Sequence, residues 1–403
     1  MKRSIIIGWV GLLLLSACDQ PASKTTAEDK KDGDNIVINL DKRQGSAIPL
    51  STYFKSVQTI ILETTDESLI GSINELQVFD GFIYILDRSI TKSLFVFDQG
   101  GRFVRKIGRS GNGPGEHIQL SDFTLDTENG FIFVLDYGKY IHKYRLDGTF
   151  IQTIRPELPR ESILFLQYYK NKLYLSVNAF EPAPDDNMLW VIDPDDGTIL
   201  DRTLPLKYNK DFGRLVSHGH SFFLTRTNDP PRYARTYMDN IVAIGEEIAP
   251  YIELKSKDLT TPKDLEALQP GAPGYEMAVM QFSKIRDVNS FLENDDFILF
   301  RYWHGSMFKT VIYNKKTGAA DLTDYLKNDL IFKDNDKDGA SRSFAFSDSK
   351  GAYEILYGLF GEQIENLQES IRNNEVNAGL DKLDQLSKLE KDANPAIFYY
   401  EYK

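Results

Sequence analysis

Ile73-Asn-Glu-Leu-Gln-Val78, Phe82-Ile-Tyr-Ile-Leu-Asp87, Leu94-Phe-Val-Phe-Asp98 and Arg102-Phe-Val-Arg-Lys-Ile107 are followed, in the same order, by a second set. That set is Leu120-Ser-Asp-Phe-Thr-Leu-Asp126, Phe131-Ile-Phe-Val-Leu-Asp136, Ile141-His-Lys-Tyr-Arg-Leu-Asp147 and Thr149-Phe-Ile-Gln-Thr-Ile154. Each set reads as four short strands, because aromatic and β-branched runs are broken by turn formers such as Asp80-Gly81, Gln99-Gly-Gly101 and Asp147-Gly148. Phe82 and Phe131 lie 49 residues apart. A four-stranded unit recurring at about 40 to 50 residues predicts a β-propeller, since one such sheet cannot bury both faces alone and must stack on its neighbours around an axis.

The order of strands, the Leu-Asp closing each second strand and the run Lys106-Ile-Gly-Arg-Ser-Gly-Asn-Gly-Pro-Gly-Glu116 resemble the NHL-type repeat. The resemblance extends to the six-bladed propeller lipoproteins of Bacteroides-type bacteria and is specific over residues 57–155. It implies an all-β chain of four-stranded antiparallel blades and carries no assigned chemistry with it.

The start of the chain points to export. Lys2 and Arg3 precede an apolar run from Ile5 to Leu15, too short to span a bilayer and of the charge and length of a signal peptide over 1–17. The run ends in Leu15-Ser-Ala-Cys18, which resembles a lipobox; that resemblance implies a mature chain beginning at Cys18 and carrying lipid there. Cys18 is the only cysteine, so no disulfide framework exists and the core must supply the stability. Residues 18–34 are polar, without apolar periodicity, and read as a solvated tether. The formal net charge is −12, and loss of Lys2 and Arg3 with the signal leaves −14, which argues against nucleic acid and against wide contact with anionic lipid. The expected location is the bacterial envelope, with a lipid anchor in the outer membrane.

Residues 35–403 are expected to hold the whole ring. Blade three is read over 163–168, 172–177, 188–193 and 198–204, and blade four over 213–217, 222–225, 237–243 and 248–254. Blade five is read over 283–288, 297–300, 310–313 and 320–322, and blade six begins with 342–347 and 353–357. Glu362 to Lys391 then shows Ile364, Leu367 and Ile371, and later Leu380, Leu383, Leu386 and Leu389, at helical spacing, which predicts a helical hairpin over the elaborated face. Ala396 to Tyr402 returns to strand and is read as the third strand of blade six, with Val57 to Glu63 as its fourth. The N-terminal strand would thus close the ring.

Alternating strand direction puts the connections between second and third strands, and between consecutive blades, on one face. The other turns, such as Asp80-Gly81 and Asp195 to Gly197, are tight and open on the opposite face. The first face receives 108–117, 179–186, 226–235, 256–281, 325–341 and the helical segment. It is the elaborated face, and long loops on a rigid scaffold are where binding residues concentrate.

On that face Arg88 and Tyr137 follow Asp87 and Asp136, Arg226 occupies the corresponding place in blade four, and Arg301-Tyr302-Trp-His304 that in blade five. Arginines and aromatics converging on one mouth suit an acidic or sugar-like ligand; Asp87 and Asp136 read equally well as caps of their strand-end turns. The glycine-rich loop is no phosphate cradle, because no Lys-Ser/Thr and no helix follow it, and Arg109, Glu116 and His117 are its candidate contacts. Calcium is the one cofactor that the sequence raises. Asp334, Asp336 and Asp338 precede Gly339 as in the first half of a calcium loop, but Ala345 stands where a bidentate glutamate is required, so an ordinary acidic turn competes with that reading. His218-Gly-His220 lacks a third ligand, and no Gly-x-Ser-x-Gly elbow is present. The sequence therefore favours a binding module for an envelope protein, glycan or small molecule; the alternative is a metal-assisted hydrolase or lyase at the channel mouth, since propellers host such enzymes.

Overall fold

The computed structural model describes residues 31–32, 35–42, 45, 47–159, 161–179, 186–205, 222–224, 229–261, 263–264, 283–333, 343–356 and 362–403. Six antiparallel sheets form a propeller ring, in line with the sequence. Blade one is Glu75–Phe79, Phe82–Asp87, Ser93–Asp98 and Phe103–Ile107, and blade two is Leu120–Asp126, Phe131–Asp136, Tyr140–Arg145 and Phe150–Ile154. Blade three is Glu161–Tyr169, Lys172–Ala179, Asn187–Ile192 and Ile199–Pro205, and blade five is Ile285–Glu293, Phe297–His304, Met307–Asn314 and Ala319–Thr323. Second and third strands are buried on both sides, as in Phe131–Asp136, because each blade is sandwiched between two others.

Blade four corrects the sequence reading. Its innermost strand is Phe222–Phe223, its second Arg232–Tyr233, and its outer pair Asn240–Ile244 and Ile248–Lys255. The run at 222–225, read as the second strand, is thus the first, and 213–217 lies outside the described residues. Asp229 and Pro231, read as part of an elaborated-face loop, consequently lead into a second strand and lie beside Glu128 and Asp348 of the trimmed face. Inner strands of two residues are too short to show the alternation from which strand order is read. Arg232 ties this blade to blade five: it ion-pairs with Glu293 at 3.0 Å, and Tyr251 and Lys315 donate to the same carboxylate.

Blade six is closed by the two ends of the chain. Phe344–Ser347 pairs with Gly351–Leu356, which pairs with Ala396–Tyr402, which in turn pairs along its length with Phe54–Ile61. The residues ahead of Phe54 also bind the ring. Asn35–Asn39 lies parallel to the outermost strand of blade four, with Ile36 and Ile38 buried in the core shared by blades four and five. Ile48–Pro49 then pairs with Leu326–Lys327 after blade five, so the segment runs along blades four and five before it enters blade six.

The C-terminal insertion is one α-helix, Glu362–Arg372, and a single helical turn, Leu383–Leu386. Leu367, Val376, Leu380 and Leu386 share one cluster with Phe54, Phe344, Phe398 and Tyr400, so the flank of blades five and six is the partner that its apolar stripe requires. Among the described residues, none lining the central channel comes from the insertion.

Two repeated residues explain why the motif is written as it is. Asp87 accepts hydrogen bonds from the amides of Gly71, Ser72, Ile90 and Thr91 and from the Ser72 and Thr91 hydroxyls. Asp136 does the same for Ile118 and Gln119. Each carboxylate clamps the chain entering a blade to the end of that blade's second strand. The glycines of the third-to-fourth-strand turns, meanwhile, press on the preceding blade. Gly101 has φ +92°, and a Cβ there would sit 2.1 Å from the Ile61 carbonyl oxygen; Gly148, with φ +93°, packs beside Ile107.

Deleting residues 1–61 should leave blade six with an open edge and abolish the cooperative melt of the ring, whereas deleting 1–30 should leave it unchanged; calorimetry on the two truncations checks this. Burial acts most strongly on Asp87 and raises its pKa, but the bonds from Ile90, Thr91 and Ser72 together outweigh it and hold the carboxyl below the ordinary aspartate value. Stability from a group so depressed is complete above the unfolded value near ~4 and lost as pH falls through the folded one. Asp87→Asn should therefore cost about 1–3 kcal/mol at neutral pH. The gap from wild type should narrow below about pH 4, as read by denaturant melts across pH.

Candidate functional site

On the elaborated face, the passage from blade one to blade two is a compact loop. Arg109–Ser110 and Glu116–His117 pair as two short parallel strands, and Arg109 donates to Glu116 at 2.7 Å. The Gly113 amide donates to the other Glu116 oxygen, and these bonds hold that carboxyl below the ordinary glutamate range. Gly111 and Gly115 leave no room for a Cβ against Glu116 and Phe150, which is why the loop is rich in glycine. Arg109 and Glu116 thus complete each other, with the Arg109 side chain still exposed. His117 lies beneath, 2% exposed, its Nε2 donating to the Lys92 carbonyl. That bond fixes the proton on Nε2, and Nδ1 is buried without a partner. Burial, opposed by the Lys92 carbonyl and Asp136, keeps the ring neutral below its usual pKa.

The other candidate residues separate into rim and core. Arg88 is half-buried at the rim; its amide donates to Asn74 and its guanidinium reaches the Ser121 carbonyl at 3.4 Å. Tyr137 is 58% exposed and held at φ +54°, a left-handed conformation unusual for an aromatic residue. His304 lies half-exposed with Nε2 3.6 Å from Asp258. Arg301 and Tyr302, in contrast, are buried. The Arg301 guanidinium lies 4.0 Å over the Phe308 ring, and burial lowers its pKa to about 10 against the opposing pull of Glu354. Tyr302 belongs to the core between blades four and five, and burial raises its pKa. The structure therefore brings Arg88, Arg109 and Tyr137 to the rim of blades one and two and keeps Arg301 and Tyr302 away from it. Arg226, Cys18, His218, His220, Asp334, Asp336 and Asp338 lie outside the described residues. Among the described residues no three His, Cys, Asp or Glu side chains are grouped so as to hold a metal ion.

Two features went unread in the sequence. Large exposed apolar side chains on the elaborated face are Leu69, Ile90, Ile118, Tyr137, Tyr140 and Met307; the remaining exposed ones among the described residues, Val104, Ile151 and Leu200, sit on outermost strands. None lies in a trimmed-face turn. The second feature is the central channel, a cavity of about 270 Å³ whose wall includes Glu75, Gln77, Gln167, Ser290 and Phe346. A smaller cavity of about 80 Å³ shares Gln77, Gln167 and Phe346 with it and continues to the trimmed face at Glu128 and Asp348. The innermost strand of blade five bulges at this wall, between Asn289 and Leu292, with Ser290 at φ +52°. Bulges of this kind re-aim side chains. The available signal was a glutamine at position 77 and again at 167, each flanked by apolar or aromatic residues within an innermost strand.

Comparison with solved structures gives the same fold. A crystal structure of an exported protein of Bacteroides fragilis has a TM-score of 0.72 at 20% identity, covering 91% of this chain and 99% of that one. A DUF4221 family member from Bacteroides vulgatus has a TM-score of 0.50 at 11% identity, covering 87% of this chain and 97% of that one. No curated protein matches the chain. The family model described as a domain of unknown function, DUF4934, matches residues 35–401, and with the ring it encompasses this chain belongs to that family.

Proposed function

We propose that this protein is an envelope-anchored binding module that docks a protein partner through the rim of blades one and two. One observation carries the reading: Ile90, Ile118, Tyr137 and Tyr140, all exposed, emerge from neighbouring connections of one face, and Arg88 and Arg109 stand among them. Aromatic, aliphatic and arginine side chains on rigid turns are the composition of protein-binding surfaces, because they bury large areas at low entropic cost. Tyr137 supports it further. An aromatic residue held in a left-handed turn costs local free energy that an exposed side chain does not recover within the fold.

The anchor rests on the signal-like start and on Leu15-Ser-Ala-Cys18. The similarity to an exported protein of Bacteroides fragilis supports the same compartment. The polar stretch after Cys18 would let the ring stand off the membrane, and its net negative charge favours that separation.

Radiolabelled palmitate should enter the wild-type chain and not Cys18→Ala; equal labelling would remove the anchor from the proposal. For the docking rim, a photo-crosslinking amino acid placed at position 137 in living cells should capture a discrete partner, and the same group at position 128 on the trimmed face should not. Adding Ile90→Ser and Ile118→Ser should reduce that capture about ten-fold, the effect expected for loss of central apolar contacts. Equal capture at both positions, or capture unaffected by the serine changes, would reject docking through this rim.

A further inference from the structure

The two channel glutamines are oriented by partners that allow no alternative. Gln77 Nε2 donates to the Phe123 carbonyl at 3.2 Å and to Glu75 Oε1 at 2.7 Å. Gln167 Nε2 donates to the Tyr168 carbonyl at 2.9 Å and to Thr124 Oγ1 at 3.0 Å. Carbonyl and carboxylate oxygens only accept, so the nitrogen end of each amide must face the wall. The oxygen ends are what remain. Both residues are more than nine-tenths buried, at 4% and 3% exposure, and neither Oε1 has a donor among the described residues. Both glutamines line the two cavities where they join. Both oxygens are therefore left to whatever enters the channel, and a donor held there takes the place of water at them.

We propose that the neck of the central channel is a binding site for a small organic cation bearing a primary ammonium group. Such a group offers three N–H donors and no acceptor, which matches the neck, where the polar side chains common to both cavities are the two glutamines with their oxygens left over. A polyol would bring acceptors of its own, for which the oriented glutamines supply no donor. The Glu75 carboxylate lies on the same wall, one hydrogen bond from Gln77, and Glu128 and Asp348 stand at the trimmed-face entrance. Phe346 lines both cavities and presents a ring to a bound cation. The chain's net charge of −12 focuses cations toward a channel walled by protein. The cavity of about 270 Å³ holds a ligand of several heavy atoms and excludes a peptide chain of any length.

The site stands apart from the docking rim, which belongs to the outer connections of the opposite face. Calorimetric titration of the full chain with 1,4-diaminobutane, butane-1,4-diol and succinate separates the chemistries, because the three share a four-carbon frame. The diamine should bind at least about ten-fold more tightly than the diol, and succinate should not bind. Gln77→Leu and Gln167→Leu should each weaken the diamine about ten-fold, the loss expected for a hydrogen bond to a charged group. Should those variants fail to fold, the side-chain amide resonances of Gln77 and Gln167 in the wild type give the same answer, shifting with the diamine and not with the diol. The proposal is overturned if the diol binds as well as the diamine, if no saturable diamine binding occurs at millimolar concentration, or if the glutamine signals and variants are indifferent to it. A Tyr137→Ser chain should bind the diamine as wild type does, so failure of either reading leaves the other standing.

Discussion

The pairing of Phe54–Ile61 with Ala396–Tyr402 is the constraint on which the remainder of the ring depends. Each blade is a sheet with two apolar sides, and only stacking in a closed circle covers both. With that pairing absent, the third strand of blade six becomes an edge, and the cluster that joins Phe54 to Phe344, Phe398 and Tyr400 loses its outer wall. The chain reinforces the joint from outside. The segment from Asn35 to Pro49 runs along blades four and five before it enters blade six, and the helical insertion covers the same flank from the C-terminal side.

The sequence was legible where the repeat is written plainly. Alternating apolar residues and Asp-Gly turns place blades one and two within a residue or two, and the strand 396–402 is assigned to its sheet and its partner from order alone. Blade four was misread because its inner strands are two residues each, and a pattern of period two has no meaning over two positions. Arg301 and Tyr302 were placed at the mouth because they follow an apolar run in a second strand. In a propeller both sides of such a strand face neighbouring blades, so only the turn residue beyond it reaches the surface, as Tyr137 does. His117 illustrates the same limit, since loop membership in the sequence does not distinguish a side chain folded under the loop from one displayed above it.

The two faces spend their polar groups differently. On the trimmed face, Asp98, Asp126, Asp147 and Asp193 each accept amide hydrogen bonds from their own turns, so these connections are closed on themselves and spend their polar groups locally. On the elaborated face, Asp87 and Asp136 perform that closure from inside the blade, and the residues immediately after them are thereby released to solvent. An unobtrusive carboxylate is the reason that Arg88 and Tyr137 are presented at fixed positions. The glutamines of the channel are the reverse case, with polar atoms withdrawn from solvent and held in orientation by backbone carbonyls.

The wrapped N-terminal segment also sets the order in which the molecule is finished. Its register with blade six is completed only by Ala396–Tyr402, so a strand made before blade one finds its partner after blade five. Contacts this distant along the chain raise the loop-closure entropy of the final step and slow folding relative to a protein of equal size with local pairings. Five blades must therefore persist with an unpaired edge until Ala396–Tyr402 is made, a state open to mispairing with other chains.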